Sequence, residues 1–458
     1  MTTKFKWLRL VAMMSLLAII ATACASDDTG SAGTDETDEP TEAMADDEPT
    51  DAMADDEPTD AVASDEPTEA TDAGSAGDGE ALTMAYILPE TGQLAFLGPP
   101  IIGGFQLAVE QINEAGGTNG VPVEQNGGDE GDGDGTIANQ TADRLLAEGV
   151  DVIMGAASSG ISLTIIDKVT GAGVVQCSPS NTSPTFTNYD DSGLYFRAAP
   201  TDALQGPVLA EQIVAAGGTN VAILARADDY GQGLLDATVA ALGDAGATVA
   251  VETTYDPMAQ SFDAEVQQVL DSGANAVALI AFDEGARILQ TMIERGVGPA
   301  DLIVFGADGL ATNDLPGLVD PDNPAVLEGM QTTSPTPASD EGFNTALSEF
   351  APDLSDTLFA AEGYDCTIAA ALAAHQGGAN TSEAIAENMV SVTIEGTKCT
   401  AYAECIELID AGEDIDYDGP SGPMDFTDAG EPSMGTYALQ IFTADGELEL
   451  VETITSSL

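Results

Sequence analysis

NVAILARADDYGQGLLDATVAALGDAGATVAVETT, residues 220–254, decides the fold. Asn220–Ala225 is a nearly unbroken apolar run, and Thr248–Thr253 is rich in β-branched residues. Between them Gly231–Ala245 carries helix-forming residues after a polar, glycine-bearing turn. Strand, helix and strand in this order read as parallel strands joined by a covering helix. The same alternation extends in both directions. Further strands are expected at Leu82–Leu88, Val150–Met154, Gly173–Gln176, Ala276–Ala281 and Leu302–Phe305. Helices are expected at Gly104–Ala115, Ile137–Glu148, Ser159–Val169, Leu204–Ala216, Ser261–Asp271 and Glu284–Arg295. Glycines at 116–117, 217–218 and 273 suit helix ends. Two successive sets, before and after about residue 200, predict an α/β protein of two lobes, each with a mostly parallel, doubly wound sheet.

Outward of this body the chain changes character. Lys4, Lys6 and Arg9 precede an apolar run, Leu10–Ile20, and small residues leading to Cys24. That is the order of a secretory signal, residues 1–23, and the run is short for a membrane span. Its end, Ala-Thr-Ala-Cys, resembles a bacterial lipobox with Ala21 where leucine is commoner. It implies lipidation of Cys24 and anchoring on the outer face of a membrane. Residues 24–80 then form an acidic stalk. The units EPTEAMADD, EPTDAMADD and EPTDAVASD repeat from Glu39, Glu48 and Glu57. So little apolar surface cannot offset the entropy of ordering, and carboxylate repulsion extends the segment.

The formal charge is −69, and of ten Lys and Arg residues three lie in the signal. Nucleic acid and anionic lipid surfaces need clustered basic residues and are excluded as partners. A dense acidic surface suits a salty medium, or simple solubility. Cys399 and Cys405 are close enough in sequence for a local disulfide, leaving Cys177 and Cys366 as a second pair. The spacing of the cysteines and the single histidine, His375, do not make a zinc site.

In open parallel sheets ligands bind beyond the carboxyl ends of the strands. The loops there are TGQLAFLG (91–98), GAASSG (155–160), SPSNTSP (178–184), ADDYGQG (227–233), AFDEG (281–285) and GADG (306–309). Together with the opening YILPETGQLAFLG, the helix GGFQLAVEQINEAGG and the segment FRAAPTDALQG, their order resembles the type I periplasmic binding proteins. More narrowly it resembles the leucine/isoleucine/valine-binding family of ABC uptake systems, from about Leu82 to the end. The resemblance implies three crossings between lobes near residues 200, 334 and 425. Lobe one would be 81–200 plus 334–425 and lobe two 201–333 plus 426–458, with a three-segment hinge.

It also implies site residues. Ser159, at a helix amino end, would hold a ligand carboxylate together with free amides, although an ordinary helix cap is the plainer reading. Ser180, Asn181 and Thr182 would complete that cradle, or form a plain turn. Tyr230 and Phe282 would close over the ligand, and Leu97 would make its floor more apolar than the tyrosine of some relatives. Asp308 would face the ligand ammonium where glutamate is commoner, or serve only as a turn residue. The expected protein is a monomeric, non-enzymatic receptor for an amino acid or similar zwitterion, without cofactor or metal, presenting its ligand to an ABC permease. An amide or urea receptor, and a ligand sensor with a signalling partner, are the alternatives.

Two other chemistries have weaker support. Cys177 with His375 is the only cysteine–histidine combination for nucleophilic catalysis, and His375 sits in an alanine-rich helix end, AAALAAHQGG. DEGDGDG at 129–135 alternates acids with glycine like a calcium loop, but its twelfth position is Gln140 rather than glutamate.

Overall fold

Six strand-forming residues, Thr83–Leu88, make β1, the axis of the first sheet, in a computed structural model that describes residues 79–336 and 340–457. The signal, Cys24 and the stalk up to residue 78 lie outside the described residues. After β1 come α1 (Gly98–Glu114), β2 (Glu124–Asp129), α2 (Thr136–Glu148), β3 (Val152–Gly155), α3 (Ser159–Gly171), β4 (Val175–Ser178) and β5 (Tyr195–Arg197). They build a five-stranded parallel sheet in the order β2-β1-β3-β4-β5. Alternation along the strands separates its faces. Met84, Val152 and Met154 pack against Phe105 and Ile112 of α1, whereas Ala85, Ile87 and Ile153 pack against Leu145 of α2 and Ile165 of α3.

The second half repeats the scheme with α4 (Asp202–Ala215), β6 (Asn220–Arg226), α5 (Asp229–Asp244), β7 (Thr248–Tyr255), α6 (Asp263–Ser272), β8 (Ala276–Ile280), α7 (Gly285–Glu294), β9 (Ile303–Gly306), α8 (Leu315–Val319) and β10 (Gln331–Pro335). The chain then returns to the first sheet with α9 (Glu341–Phe350), α10 (Ala360–Gly377) and α11 (Ser382–Asn388), and with β11 (Thr397–Cys399), α12 (Tyr402–Asp410), β12 (Ile415–Gly419) and β13 (Gly422–Pro423), whose strands form a small separate sheet. It ends on β14 (Met434–Phe442) and β15 (Leu448–Ser457). The second sheet has the order β15-β14-β10-β9-β8-β6-β7, antiparallel only where β14 meets β10 and β15. We call the body around the first sheet lobe one and that around the second lobe two.

Every strand and helix expected above is present, with shifted ends. Helix α1 starts at Gly98 rather than Gly104, because Pro99 and Pro100 fit a first helical turn, where backbone N–H groups have no partner to lose. β2 is an addition to the expected strands: EQNGGD has no large apolar residue, and its strand character comes from pairing along β1 at the sheet edge. Disulfides Cys177–Cys366 and Cys399–Cys405 are both formed; the first ties β4 to α10. Among the described residues no helix is long and apolar enough to cross a membrane, and no group of three or more His, Cys, Asp or Glu side chains is arranged to hold a metal ion.

Candidate functional site

The strand ends of both sheets deliver their loops to one cleft. In lobe one the polar wall is assembled from neighbouring loops. Ser178 Oγ and Asn181 Nδ2 donate to the Ala156 carbonyl at 2.8 and 3.1 Å. Asn181 Nδ2 also donates to the Ala157 carbonyl at 2.8 Å, as does Ser180 Oγ at 3.1 Å. Ser180 and Asn181 therefore brace the wall with their side chains. Buried Arg197 donates to the carbonyls of Asn181 and Ser183 at 3.1 and 2.8 Å and pairs with buried Glu431. Ser159 begins α3, and its Oγ accepts from the Ser183 N–H at 3.3 Å. The first N–H groups of this helix have no intrahelical partner, so its end is a seat for negative charge.

Glu130 was missed by sequence reasoning. Its carboxylate accepts from the N–H groups of Ala157 and Ser158, just ahead of α3. Full burial pushes its pKa up to about 8 despite those donors. Its neighbour Asp129 accepts from the N–H groups of Glu90, Thr91 and Gly131. The first two acids of the DEGDGDG stretch thus act on backbone amides.

Lobe two supplies aromatic rings and carboxylates. Tyr230 and Phe282 stack with centroids 5.1 Å apart. Tyr230 donates its hydroxyl to Asp308 Oδ1 at 2.9 Å, and Gln205 Nε2 donates to the same oxygen at 3.0 Å. Gly309 lets the loop lie against Phe282: a Cβ there would stand 2.4 Å from the Ala281 carbonyl oxygen. Burial raises the Asp308 pKa to about 6, and the two donors limit the rise. Beside it lies a second acid that sequence reading passed over. Asp202 is fully buried, and neither carboxylate oxygen completes a hydrogen bond among the described residues. Burial, then the charge of Asp308, raises its pKa well above the carboxylate range. The Asp202 N–H donates to the Thr182 carbonyl at 2.7 Å, and the Thr182 hydroxyl faces the Asp202 carboxylate, where it limits the rise in pKa without completing a well-formed hydrogen bond. In sequence, Asp202 follows Thr201 at the start of α4 and reads as a first-turn helix acid, which concealed it.

These contacts form one path: Ser159 to Ser183, through Thr182 to Asp202, then Asp308, Tyr230 and Phe282. Leu97 and Leu94 of lobe one pack in the same apolar cluster as Tyr230 and Phe282. So does Phe359, held at φ 60° ahead of α10, a strained conformation for a bulky residue. A cavity of about 470 Å3 opens between the lobes beside Phe282, with Ser158 and Gly160 of the α3 end on its other side. All eight expected binding residues are buried, and of them only Phe282 lines this cavity; Ser159, Ser180, Asn181, Thr182, Tyr230, Asp308 and Leu97 do not.

Two sheets whose strand ends converge on a polar, partly unsatisfied cleft define a two-lobed solute-binding protein. The chain belongs to the periplasmic binding protein family, whose model matches residues 81–447. Over 314 residues it is 28% identical to Leu/Ile/Val-binding protein homolog 1 of Brucella suis, covering 66% of this chain and 80% of that one. The fold matches a branched-chain amino acid transporter substrate-binding protein, LivJ, from Streptococcus pneumoniae in complex with isoleucine (21% identity, 82% of this chain, 100% of that chain, TM-score 0.68). It also matches a solute-binding protein from R. palustris in complex with 4-hydroxybenzoate (18% identity, 83% and 98% covered, TM-score 0.68).

Proposed function

We propose that this chain is an extracytoplasmic receptor of an ABC uptake system, anchored through a lipid on Cys24, that captures an amino acid between its lobes. The observation that carries this reading is the pair of buried carboxylates, Asp308 and unpartnered Asp202, on the same contact path as the α3 amino end. Buried charge is tolerable only with a partner, and a ligand ammonium between the two acids supplies one. The ligand carboxylate takes Ser159, the unpartnered Thr182 hydroxyl and the α3 amides. The side chain packs on Leu97, Phe359 and the Tyr230–Phe282 stack. Lobe one is 81–200 plus 334–425, lobe two is 201–333 plus 426–458, and hinge closure presents the filled cleft to a permease. The curated relatives named for leucine, isoleucine and valine support a branched-chain ligand. A carboxylate ligand without an amine, like the hydroxybenzoate of a fold neighbour, leaves both acids without a cation.

A thermal-shift screen of amino acids, amides, urea and aromatic acids tests this. Amino acids should raise the melting temperature, with L-leucine or L-isoleucine foremost. Stabilisation by aromatic acids alone would exclude the ammonium assignment.

A further inference from the structure

The loop between β1 and α1 reaches across the cleft through one side chain. Gln93 Nε2 donates to the Pro257 carbonyl in the loop after β7 at 3.2 Å. Its Oε1 accepts from Arg226 Nη2 at the end of β6 at 3.4 Å. Arg226 is no free surface cation. Its Nη1 donates to both oxygens of buried Glu284 at 3.0 and 3.1 Å, and its Nε donates to Asp228 Oδ2 at 2.5 Å. Tyr255 in turn donates to Glu284 at 3.0 Å. These partners lay the guanidinium 3.5 Å from the centroid of the Phe282 ring. Phe282 stacks on Tyr230, which holds Asp308. The far side of the ring that packs on the ligand therefore supports the group that receives Gln93.

We propose that Gln93, which lines the interlobe cavity with Arg226 and Pro257, is a closure-determining residue: through its cross-lobe bonds it sets how long the lobes stay shut over a ligand. Phe282 and Arg226 carry occupancy of the cleft to it. This rests on the hinge-closing reading above. The cross-lobe bonds exist only when the lobes meet, so they act on opening and dissociation rather than on encounter. The cation–π contact orients Arg226 from one side and its carboxylate partners from the other. Loss or displacement of the ring would leave the guanidinium without its platform, and the acceptor on Gln93 would then meet a less ordered donor.

The test uses the full chain with Ala147→Cys and Ala264→Cys, exposed positions on α2 and α6, carrying spin labels that report the interlobe distance. Without ligand, Gln93→Ala should shift the distance distribution toward longer separations. With L-isoleucine as probe it should raise the dissociation rate about tenfold and change the association rate less than about twofold. Gln93→Glu keeps an acceptor for Arg226 and drops the donor to Pro257, and should fall between Gln93→Ala and the parent. In a Phe282→Leu background the effect of Gln93→Ala on the distribution should shrink, because the two share one path. Unchanged distances and rates in Gln93→Ala overturn the proposal, and strict additivity with Phe282→Leu overturns the relay through Arg226. If L-isoleucine fails to bind the parent, the ligand reading fails instead, and the ligand-free distances still decide the role of Gln93.

Discussion

The two walls of the cleft are finished to different degrees. In lobe one, Ser178, Ser180 and Asn181 are hydrogen-bonded to the Ala156 and Ala157 carbonyls, and Arg197 is paired with Glu431 while it fixes the carbonyls of Asn181 and Ser183. Both disulfides also belong to this lobe. In lobe two, Asp202 is buried with neither oxygen bonded, and Gln205 Oε1 is likewise unpartnered. A satisfied wall is rigid before ligand arrives; an unsatisfied one gains most from a ligand that brings the missing charge. Under the proposed hinge closure, lobe one would serve as the template, with the Thr182 hydroxyl as its open contact, and lobe two as the clamp.

The largest test breaks the template. The Cys177–Cys366 bridge spans 189 residues of sequence and anchors β4 just before the Ser178 loop. Replacing both cysteines with serine should cost about 5 kcal/mol of stability in the chain-entropy view. The Cys399–Cys405 bridge, six residues apart, should be worth about 2 kcal/mol. Urea midpoints of the two double variants check the ranking. Equal losses would mean that the long bridge adds no restraint that lobe-one packing lacks.

The clamp comes next. Asp308→Asn should weaken L-isoleucine binding about a hundredfold by calorimetry, because the ammonium loses its charged acceptor. Asp202→Asn should cost about tenfold in affinity and yet stabilise the empty protein. The sign follows from the raised pKa of Asp202. The folded state holds that proton more tightly than the unfolded chain, so ligand-free stability falls as pH rises above the ordinary carboxylate range. The Asp202→Asn variant lacks this dependence, and the melting-temperature gap in its favour should widen toward neutral pH. A variant that is less stable than the parent at every pH would show that the carboxylate has a partner in the empty state.

The unequal walls also explain what could be read from the sequence. Strands such as Asn220–Arg226 and Ala276–Ile280 are buried along almost their whole length, so their apolar runs are visible in the sequence. β2 escapes notice because its stability is borrowed from the neighbouring strand. Ser159, Tyr230 and Asp308 stand out as candidates because loops after parallel strands are where ligands sit, and the family resemblance sharpens the choice. Asp202 and Glu130 are not, since one resembles a helix-start residue and the other a member of an acidic run. Their significance is that both are buried, and burial of a single carboxylate depends on which loops fold over it. The pairing of Gln93 with Arg226 joins residues 133 positions apart and leaves no local pattern at all.

Lobe one also keeps buried atoms without partners among the described residues, at Gln176, Thr182, Asp416 and Glu362, and the last of these is the one set to titrate. Glu362 on α10 is buried, its Oε2 has no partner among the described residues, and it faces a cavity of about 30 Å3 that is also lined by Ala198, Pro335 and Met434 near the passages between lobes. Burial, then the charge of Asp365 one turn along, raises its pKa to about 8. Asp365 is raised to about 7 although it accepts from the Tyr417 hydroxyl and the Ser421 N–H. Both carboxyls favour the proton in the folded state, so the stability they contribute is full below the unfolded carboxylate range and is lost as pH rises to about 8. Glu362→Gln should remove part of this slope, gaining about 1 kcal/mol over the parent between pH 5 and pH 8 and little at pH 4. The gain is smaller than a fixed, dry carboxyl would give, because the adjoining cavity of about 30 Å3 is large enough for a water at the ionised group. Urea midpoints across that range measure it. A variant whose slope matches the parent would move the pH dependence to Asp365 alone. In that case the unsatisfied charge would be confined to the clamp, and the contrast between the two walls would be sharper still.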